Sequence, residues 1–199
     1  MNFIFIILTF LISAVIARIL IPRILLISLR KKLFDIPDDR KIHKRAIPRL
    51  GGVSFFPTTL FAFCLVYAFR LLDGDSISTL YASYLLPELL LFACGMTLLY
   101  LTGIADDLVG VRYRQKFAIQ IFCACLFPLS GLWINDLYGL FGIHELSAYV
   151  GIPFTVLTVV FITNAINLID GIDGLASGLS SVALLVFTFL FISKGLWSY

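Results

Sequence analysis

Apolar residues dominate the chain in long uninterrupted runs, and polar residues gather between them. Six runs contain no charged residue: 1–17, 50–69, 89–105, 117–135, 146–169 and 174–193. Each is close to the ~20 residues that an α-helix needs to cross a bilayer. The pattern therefore predicts an all-α integral membrane protein with about six transmembrane helices. We expect the first run to be a retained helix rather than a cleaved signal peptide, because no basic residue precedes it.

The composition is far from that of a soluble domain. The chain has 199 residues, of which 60% are hydrophobic and only 14% are charged, whereas soluble domains carry about 25% charged residues. Lipid must therefore surround much of the apolar surface. No long linker, low-complexity tract or internal repeat interrupts the chain. We expect residues 1–199 to form a single polytopic membrane domain.

The 15 Lys and Arg residues are distributed unevenly along the chain. All but Arg70 and Lys194 lie in the segments 18–23, 30–49 and 112–116. Because loops rich in Lys and Arg face the cytoplasm, the N-terminus is predicted to lie outside. Alternation of the helices then predicts three cytoplasmic segments, at 30–52, 105–116 and 168–178, and two outer loops, at 73–87 and 133–150.

Two adjacent carboxylates, Asp106 and Asp107, follow the third run in the segment GIADDLVGVRYRQKFAIQ. Neighbouring carboxylates repel each other, so such a pair suits a divalent cation or a proton acceptor. Lys116 and Gln120 are four residues apart at the start of the next helix and share one face. The simpler interpretations are a solvated helix cap for the two acids and a lysine that reaches the bilayer surface.

A second polar segment, TNAINLIDGIDGLASGLS, ends the fifth run. Asn164, Asn167 and Asp170 recur every three residues and form a stripe on one helical face. Carboxamides at membrane depth need partners, so the stripe should point into the helix bundle. Asp170 and Asp173 each precede a glycine, which permits a turn and the close approach of a ligand. A polar helix stop with glycine caps is the simpler interpretation.

The first predicted cytoplasmic loop contains the segment PDDRKIHKRAIPRLGG. Its mixed acidic and basic residues are bounded by prolines and glycines. This indicates a loop with a defined conformation, and not only a basic segment that sets the topology. Arg and Lys side chains there could bind phosphates, and His43 could serve as a base or a hydrogen-bond donor. Carboxylates that attract a divalent metal, next to cations that attract phosphate, favour phosphoryl transfer between a nucleotide and a lipid.

These three segments together resemble the cytoplasmic motifs of the polyprenyl-phosphate N-acetylhexosamine-1-phosphate transferases. The first segment looks like the WecA/TagO branch of that family. The resemblance implies transfer of a sugar 1-phosphate from a UDP-sugar to undecaprenyl phosphate, with release of UMP and a requirement for Mg²⁺. It also implies a multi-pass protein of the cell inner membrane whose active site faces the cytoplasm, working in cell-envelope polysaccharide synthesis. Nucleic acid is not an expected partner, and a homodimer is left open.

The resemblance also implies roles for individual residues. The family's adjacent acids correspond to Asp106 and Asp107, and its essential lysine corresponds to Lys116; these three are the candidate catalytic residues. Asn167 and Asp170 are the candidate Mg²⁺ ligands. The candidate substrate-binding residues are Lys44, Arg49, Asp173 and His43.

The chain departs from the family in one respect. Family members carry a later F-x-G-D-x-G-S motif and a His- and Arg-rich loop, and neither occurs in these 199 residues. We therefore expect the chain to be the N-terminal part of a longer transferase. The alternatives are an inactive truncated fragment, a membrane scaffold, and, less favoured, a cation-coupled transporter, whose polar residues should lie at helix midpoints.

Overall fold

A computed structural model of the chain describes residues 2–35, 47–72, 76–170, 172 and 174–196. Long helices account for most of this part of the chain. In order, they are α1 (Asn2–Arg30), α2 (Phe55–Leu72), α3 (Ser76–Val109), α4 (Tyr113–Leu129), α5 (Ala148–Ile169) and α6 (Leu175–Ser193). The all-α class predicted from the apolar runs is confirmed, and each run has its own helix.

The boundaries of several helices differ from the predicted ones. The first helix continues to Arg30, well beyond the apolar run 1–17, because its Arg and Ser positions remain compatible with helix. Residues 76–87, predicted as most of an outer loop, instead form the first turns of α3. The fourth helix starts at Tyr113 and ends at Leu129, so the predicted helical residues 130–135 are not helical. The absence of charged residues from a run therefore locates a helix but does not define its first and last residues.

Among the residues that the structure describes, five helices are long and apolar enough to cross a membrane. They are α1, α2, α3, α5 and α6. The remaining long helix, α4, has 17 residues, which span roughly 26 Å at about 1.5 Å per residue. That length is short of the ~30 Å hydrocarbon core of a bilayer.

Few side chains are buried, and those that are tend to be small. Among the residues whose burial is described, the buried apolar ones are Ala62, Val66, Cys123, Ala124, Val160 and Ala176. Small residues at helix contacts let backbones approach closely, which is the usual mode of packing in lipid. Large apolar side chains such as Phe10, Phe69 and Phe161 are instead mostly exposed. This inverted pattern is the one expected where lipid, rather than water, covers the outer surface.

The helices pack mainly with their neighbours along the chain. The closest pairs are α1 with α2, α3 with α4, and α4 with α5. Two short antiparallel strands, β1 (Phe34–Asp35) and β2 (Ile47–Pro48), close the base of the first loop. A 3-10 segment, Arg49–Ser54, then leads into α2. Antiparallel neighbours with these connections bring the end of α3, the start of α4 and the end of α5 to one end of the bundle.

Candidate active site at the end of the helix bundle

Lys116 joins three helices through a single ammonium group. Its Nζ donates to Asp106 Oδ2 at 2.9 Å and to Asn167 Oδ1 at 3.2 Å. These partners come from the last turn of α3 and the last turn of α5, and Lys116 lies in the first turn of α4. The two polar segments singled out in the sequence are therefore in direct contact.

Asp106 is held from both sides. Its second carboxylate oxygen, Oδ1, accepts a hydrogen bond from the backbone N–H of Val111 at 2.9 Å. The backbone N–H of Gly110 also donates to the carbonyl of Asp106 at 3.0 Å, which ends α3. Gly110 has φ +73°, a left-handed conformation that favours glycine at a helix end. One aspartate thus shapes the turn between α3 and α4 and holds the lysine that follows it.

A second polar contact lies one helical turn below the lysine. Asn164 Nδ2 donates to Gln120 Oε1 at 2.7 Å, and Gln120 Nε2 donates back to Asn164 Oδ1 at 3.4 Å. Asn164 Nδ2 also donates to the carbonyl of Val160 at 2.8 Å. Gln120 is only 4% exposed. A buried carboxamide needs hydrogen-bond partners, and this pair supplies them reciprocally.

The two contacts form a ladder between α4 and α5. Lys116 and Gln120, four residues apart, face Asn167 and Asn164, three residues apart. Each stripe is predicted by helical periodicity, but their mutual contact is not, because it depends on how the two helices pack. Sequence analysis placed Gln120 on the face of Lys116 without giving it a role. The four-residue spacing was the signal that could have identified it.

The ammonium group is largely withdrawn from solvent. The Lys116 side chain is 23% exposed and that of Asp106 is 31% exposed. A charge removed from water is tolerated when it is paired and hydrogen-bonded, as here. The cluster is therefore an ammonium held in place between a carboxylate, which forms an ion pair with it, and a neutral amide oxygen.

The exit of the first loop is attached to the same half of α3. The hydroxyl of Tyr100 donates to the carbonyl of Val53 at 2.9 Å. The Tyr100 ring also packs against Phe56, with ring centroids 5.1 Å apart. Tyr100 precedes Asp106 by six residues on α3. The 3-10 segment that begins at Arg49 is thus fixed near the candidate site, although the structure does not describe the Arg49 side chain.

The other predicted site residues are less tightly placed. Asp107 is exposed at the end of α3, next to Asp106. Asp170 is exposed at the C-terminal cap of α5, where its N–H donates to the carbonyl of Ile166 at 3.1 Å. The remaining three, His43, Lys44 and Asp173, lie outside the described residues.

Whether this site could bind Mg²⁺ depends on the oxygen ligands that its side chains offer. Within the described ranges, no group of three or more His, Cys, Asp or Glu side chains could hold a metal ion. However, Asp106 Oδ2 and Asn167 Oδ1 already converge on one cation, the Lys116 ammonium. Mg²⁺ commonly uses one or two protein oxygens and takes the others from water and substrate phosphates. The donor types therefore fit a partial magnesium site rather than a complete one.

Membrane-crossing helices with a polar cluster at their ends define a multi-pass membrane protein with a site at one end of its bundle. A comparison with protein families matches residues 89–199 to the glycosyl transferase family 4. The match covers more than half of the chain and includes Asp106, Lys116 and Asn167. The chain belongs to this family.

Curated relatives match over most of this chain. A probable undecaprenyl-phosphate N-acetylglucosaminyl 1-phosphate transferase of Bacillus subtilis is 30% identical over 96% of the chain and 49% of the relative. A phospho-N-acetylmuramoyl-pentapeptide-transferase of Staphylococcus carnosus is 29% identical over 96% of the chain and 60% of the relative. An undecaprenyl-phosphate alpha-N-acetylglucosaminyl 1-phosphate transferase of Thermotoga maritima is 30% identical over 84% of the chain and 47% of the relative.

The chain spans about half the length of these relatives. No solved structure matches it significantly. The predicted membership of a sugar-phosphate transferase family is confirmed by the family match and by the relatives.

Proposed function

We propose that this chain carries part of the active site of a membrane enzyme that transfers a sugar 1-phosphate from a UDP-sugar to undecaprenyl phosphate. The sugar would be an N-acetylhexosamine such as N-acetylglucosamine, UMP would be released, and the product would serve cell-envelope polysaccharide synthesis. The family match and the names of the relatives support this proposal. The observation that carries it is the contact of Lys116 with both Asp106 and Asn167.

Lys116 would supply positive charge where two anions must meet. A nucleotide pyrophosphate and a lipid phosphate repel each other, so their approach requires a fixed cation. An ammonium has three N–H donors. Among the described residues, Asp106 and Asn167 use two of them. The third would donate to a phosphate oxygen of the substrate.

The two adjacent acids would have different roles. Both oxygens of Asp106 accept hydrogen bonds within the chain, so it would position Lys116. Asp107 is exposed at the same helix end, and we assign to it the contact with the lipid phosphate. A phosphate monoester has a second pKa near ~6 and is largely dianionic at neutral pH. Little proton removal is then needed: Asp107 would accept the remaining proton of the monoanionic form, and positioning of the acceptor by neighbouring cations would contribute more.

Asn167 and Asp170 would hold Mg²⁺, with Asp170 offering a carboxylate and Asn167 offering the second lone pair of the amide oxygen that accepts from Lys116. When bound, Mg²⁺ would neutralise the pyrophosphate and stabilise the departing UMP. Asp173 would contact the nucleotide, and His43, Lys44 and Arg49 would line the same cleft from the first loop. These four roles rest on the sequence resemblance.

The protein would lie in the inner membrane, and its site would face the cytoplasm, where UDP-sugars are made. The distribution of basic residues supports this orientation. A transporter is less favoured, because Lys116, Asp106 and Asn167 all lie at helix ends rather than at midpoints. The possible homodimer stays a prediction.

The direct test is release of labelled UMP from UDP-N-acetylglucosamine by membranes that contain the protein. Release that depends on added undecaprenyl phosphate would support the transferase. Release without the lipid would indicate simple hydrolysis. No release in either condition would favour the inactive fragment or the scaffold.

A further inference from the structure

The segment between α4 and α5 forms an ordered hairpin at the end of the bundle opposite the candidate active site. The N–H of Leu137 donates to the carbonyl of His144 at 2.9 Å, and the N–H of Leu146 donates to the carbonyl of Asn135 at 2.8 Å. Asp136 and Glu145 face each other in an antiparallel bridge. We call residues 131–147 the hairpin lobe. Many of its backbone N–H groups are paired within the lobe, which lowers the cost of a position near lipid.

The base of the lobe folds back along α5 instead of projecting from it. The N–H of Ile134 donates to Thr155 Oγ1 at 2.8 Å, and Thr155 Oγ1 donates to the carbonyl of Gly151 at 2.7 Å. Thr155 follows the start of α5 at Ala148 by seven residues, which corresponds to about 10 Å along the helix. Ile134 therefore lies at the level of residues inside a membrane-crossing helix.

Packing at this base leaves no space between the lobe and the helix. A Cβ placed on Gly151 would lie 2.5 Å from the carbonyl oxygen of Ile134 and 2.5 Å from Cζ3 of Trp133. Only a glycine can allow this close approach of loop and helix. The non-helical segment that follows the short helix α4 is thus fixed against the first two turns of α5, which is a helix long enough to cross a membrane.

The outer part of the lobe presents bulky apolar side chains. Tyr138 is 87% exposed and Phe141 is 89% exposed, while Tyr149, in the first turn of α5, is 93% exposed. Tyr138 and Phe141 also have positive φ angles, of 52° and 55°, which are unfavourable for aromatic residues. The local fold thus holds two aromatic side chains outward in a strained conformation.

We propose that the hairpin lobe lies in the headgroup region of the bilayer, with Tyr138 and Phe141 as anchors, and that its partner is the lipid itself. Tyr is enriched in this region because its ring is apolar and its hydroxyl is polar, and Phe adds apolar area that enters the boundary of the acyl chains. The exposed apolar surface continues from Leu129 at the end of α4 to Tyr149 and Val150 at the start of α5, so the lobe extends a surface that already faces lipid. The lobe sets the depth of α4 and α5, and this role does not depend on the proposed enzymatic function.

The position of the lobe can be measured in lipid nanodiscs by fluorine NMR. A trifluoromethyl-phenylalanine at position 141 is compared with the same probe at position 145, an exposed acidic position of the same hairpin. A nitroxide carried by the lipid headgroup and a water-soluble gadolinium chelate broaden the two signals in turn. The probe at 141 should lose more signal to the lipid nitroxide, with the probe at 145 as the reference for water exposure.

Two results at position 141 would overturn the proposal. Stronger broadening by the chelate would place the ring in water, and protection from both reagents would mean that a protein partner covers it. The hydrogen bond from the Ile134 N–H to Thr155, which attaches the base of the lobe to α5, is tested separately. Thr155→Val removes its acceptor and should increase broadening of the signal at position 141 by the chelate. Thr155→Ser should restore the original result. Thr158→Val, at an exposed threonine of the same helix, should leave it unchanged.

Discussion

Gln120 and Asn164 form a reciprocal pair of hydrogen bonds between α4 and α5, one turn away from the contact of Lys116 with Asn167. Because each carboxamide both donates and accepts, the pair is satisfied only when the two helices keep one rotation and one vertical offset. Gln120 is buried, so water is a poor substitute for its partner. The pair therefore fixes the relative position of the helices that carry Lys116 and Asn167.

Breaking this pair should lower the stability of the helix bundle. Gln120→Leu and Asn164→Leu each leave one amide without its partner, and we expect each to reduce stability by roughly 1 kcal/mol, the usual magnitude for a hydrogen bond between membrane helices. Thermal unfolding in detergent measures the effect. Gln115→Leu, at an exposed position of α4, is the matched control. The exchange Gln120→Asn with Asn164→Gln should recover part of the loss, whereas unchanged single variants would show that the pair contributes nothing.

Asp106 should control the reactivity of Lys116 towards amine reagents. Asp106→Ala removes the 2.9 Å contact and frees the ammonium to move into solvent. We expect faster modification of Lys116 in this variant, measured by mass spectrometry against the exposed Lys31 as an internal standard. Asp107→Ala should leave the rate close to that of the unaltered chain. Equal rates in the two variants would contradict the division of roles between the two acids.

Asn167 and Asp170 should govern the dependence of activity on Mg²⁺. In a complete enzyme that carries these motifs, we expect Asn167→Ala and Asp170→Asn to weaken UMP release strongly, because each removes an oxygen donor of the proposed metal site. Higher Mg²⁺ should partly rescue Asn167→Ala. Membrane insertion should be normal, since both side chains are exposed at a helix end. If both variants match the unaltered protein at limiting Mg²⁺, these residues only terminate α5.

The orientation of the chain can be tested by cysteine labelling in intact cells. The basic residues predict that position 41 faces the cytoplasm and position 76 faces outward. A reagent that does not cross the membrane should therefore label a cysteine at 76 and not one at 41. Labelling of position 41 from outside would reverse the predicted topology and place the candidate site on the outer face.

Sequence patterns were sufficient to locate the long helices and to single out the residues of the polar cluster around Lys116. Charge-free runs located each long helix, and the three-residue spacing of Asn164 and Asn167 identified the face of α5 that contacts α4. The adjacent acids and Lys116 were singled out because charged residues are rare in so apolar a chain. These features are local, so periodicity and composition are enough to find them.

Features that depend on packing could not be predicted. The contact between Lys116 and Asp106 depends on the turn at Gly110, and the reciprocal bond of Gln120 depends on the offset of two helices. The end of α4 at Leu129 was missed because residues 130–135 carry no charge, although Ser130 and Gly131 are typical helix-ending residues. Those residues leave the helical conformation and pack against Gly151 instead. Hydrophobicity reports that a segment avoids water, but not which backbone conformation it takes there.

The most direct measurement of the role assigned to Lys116 is lipid-dependent UMP release by a complete enzyme that contains this chain, with Lys116→Ala compared with Lys31→Ala. Lys31 is an exposed lysine at the end of α1, so its removal changes net charge equally without touching the cluster. We expect Lys116→Ala to lose nearly all activity and Lys31→Ala to retain it. Lys116→Arg should also be poorly active, because a planar guanidinium cannot replace a compact ammonium between Asp106 and Asn167. Near-normal release by Lys116→Ala, in a protein that inserts normally, would contradict the proposal and reduce Lys116 to a lysine that only reaches the bilayer surface.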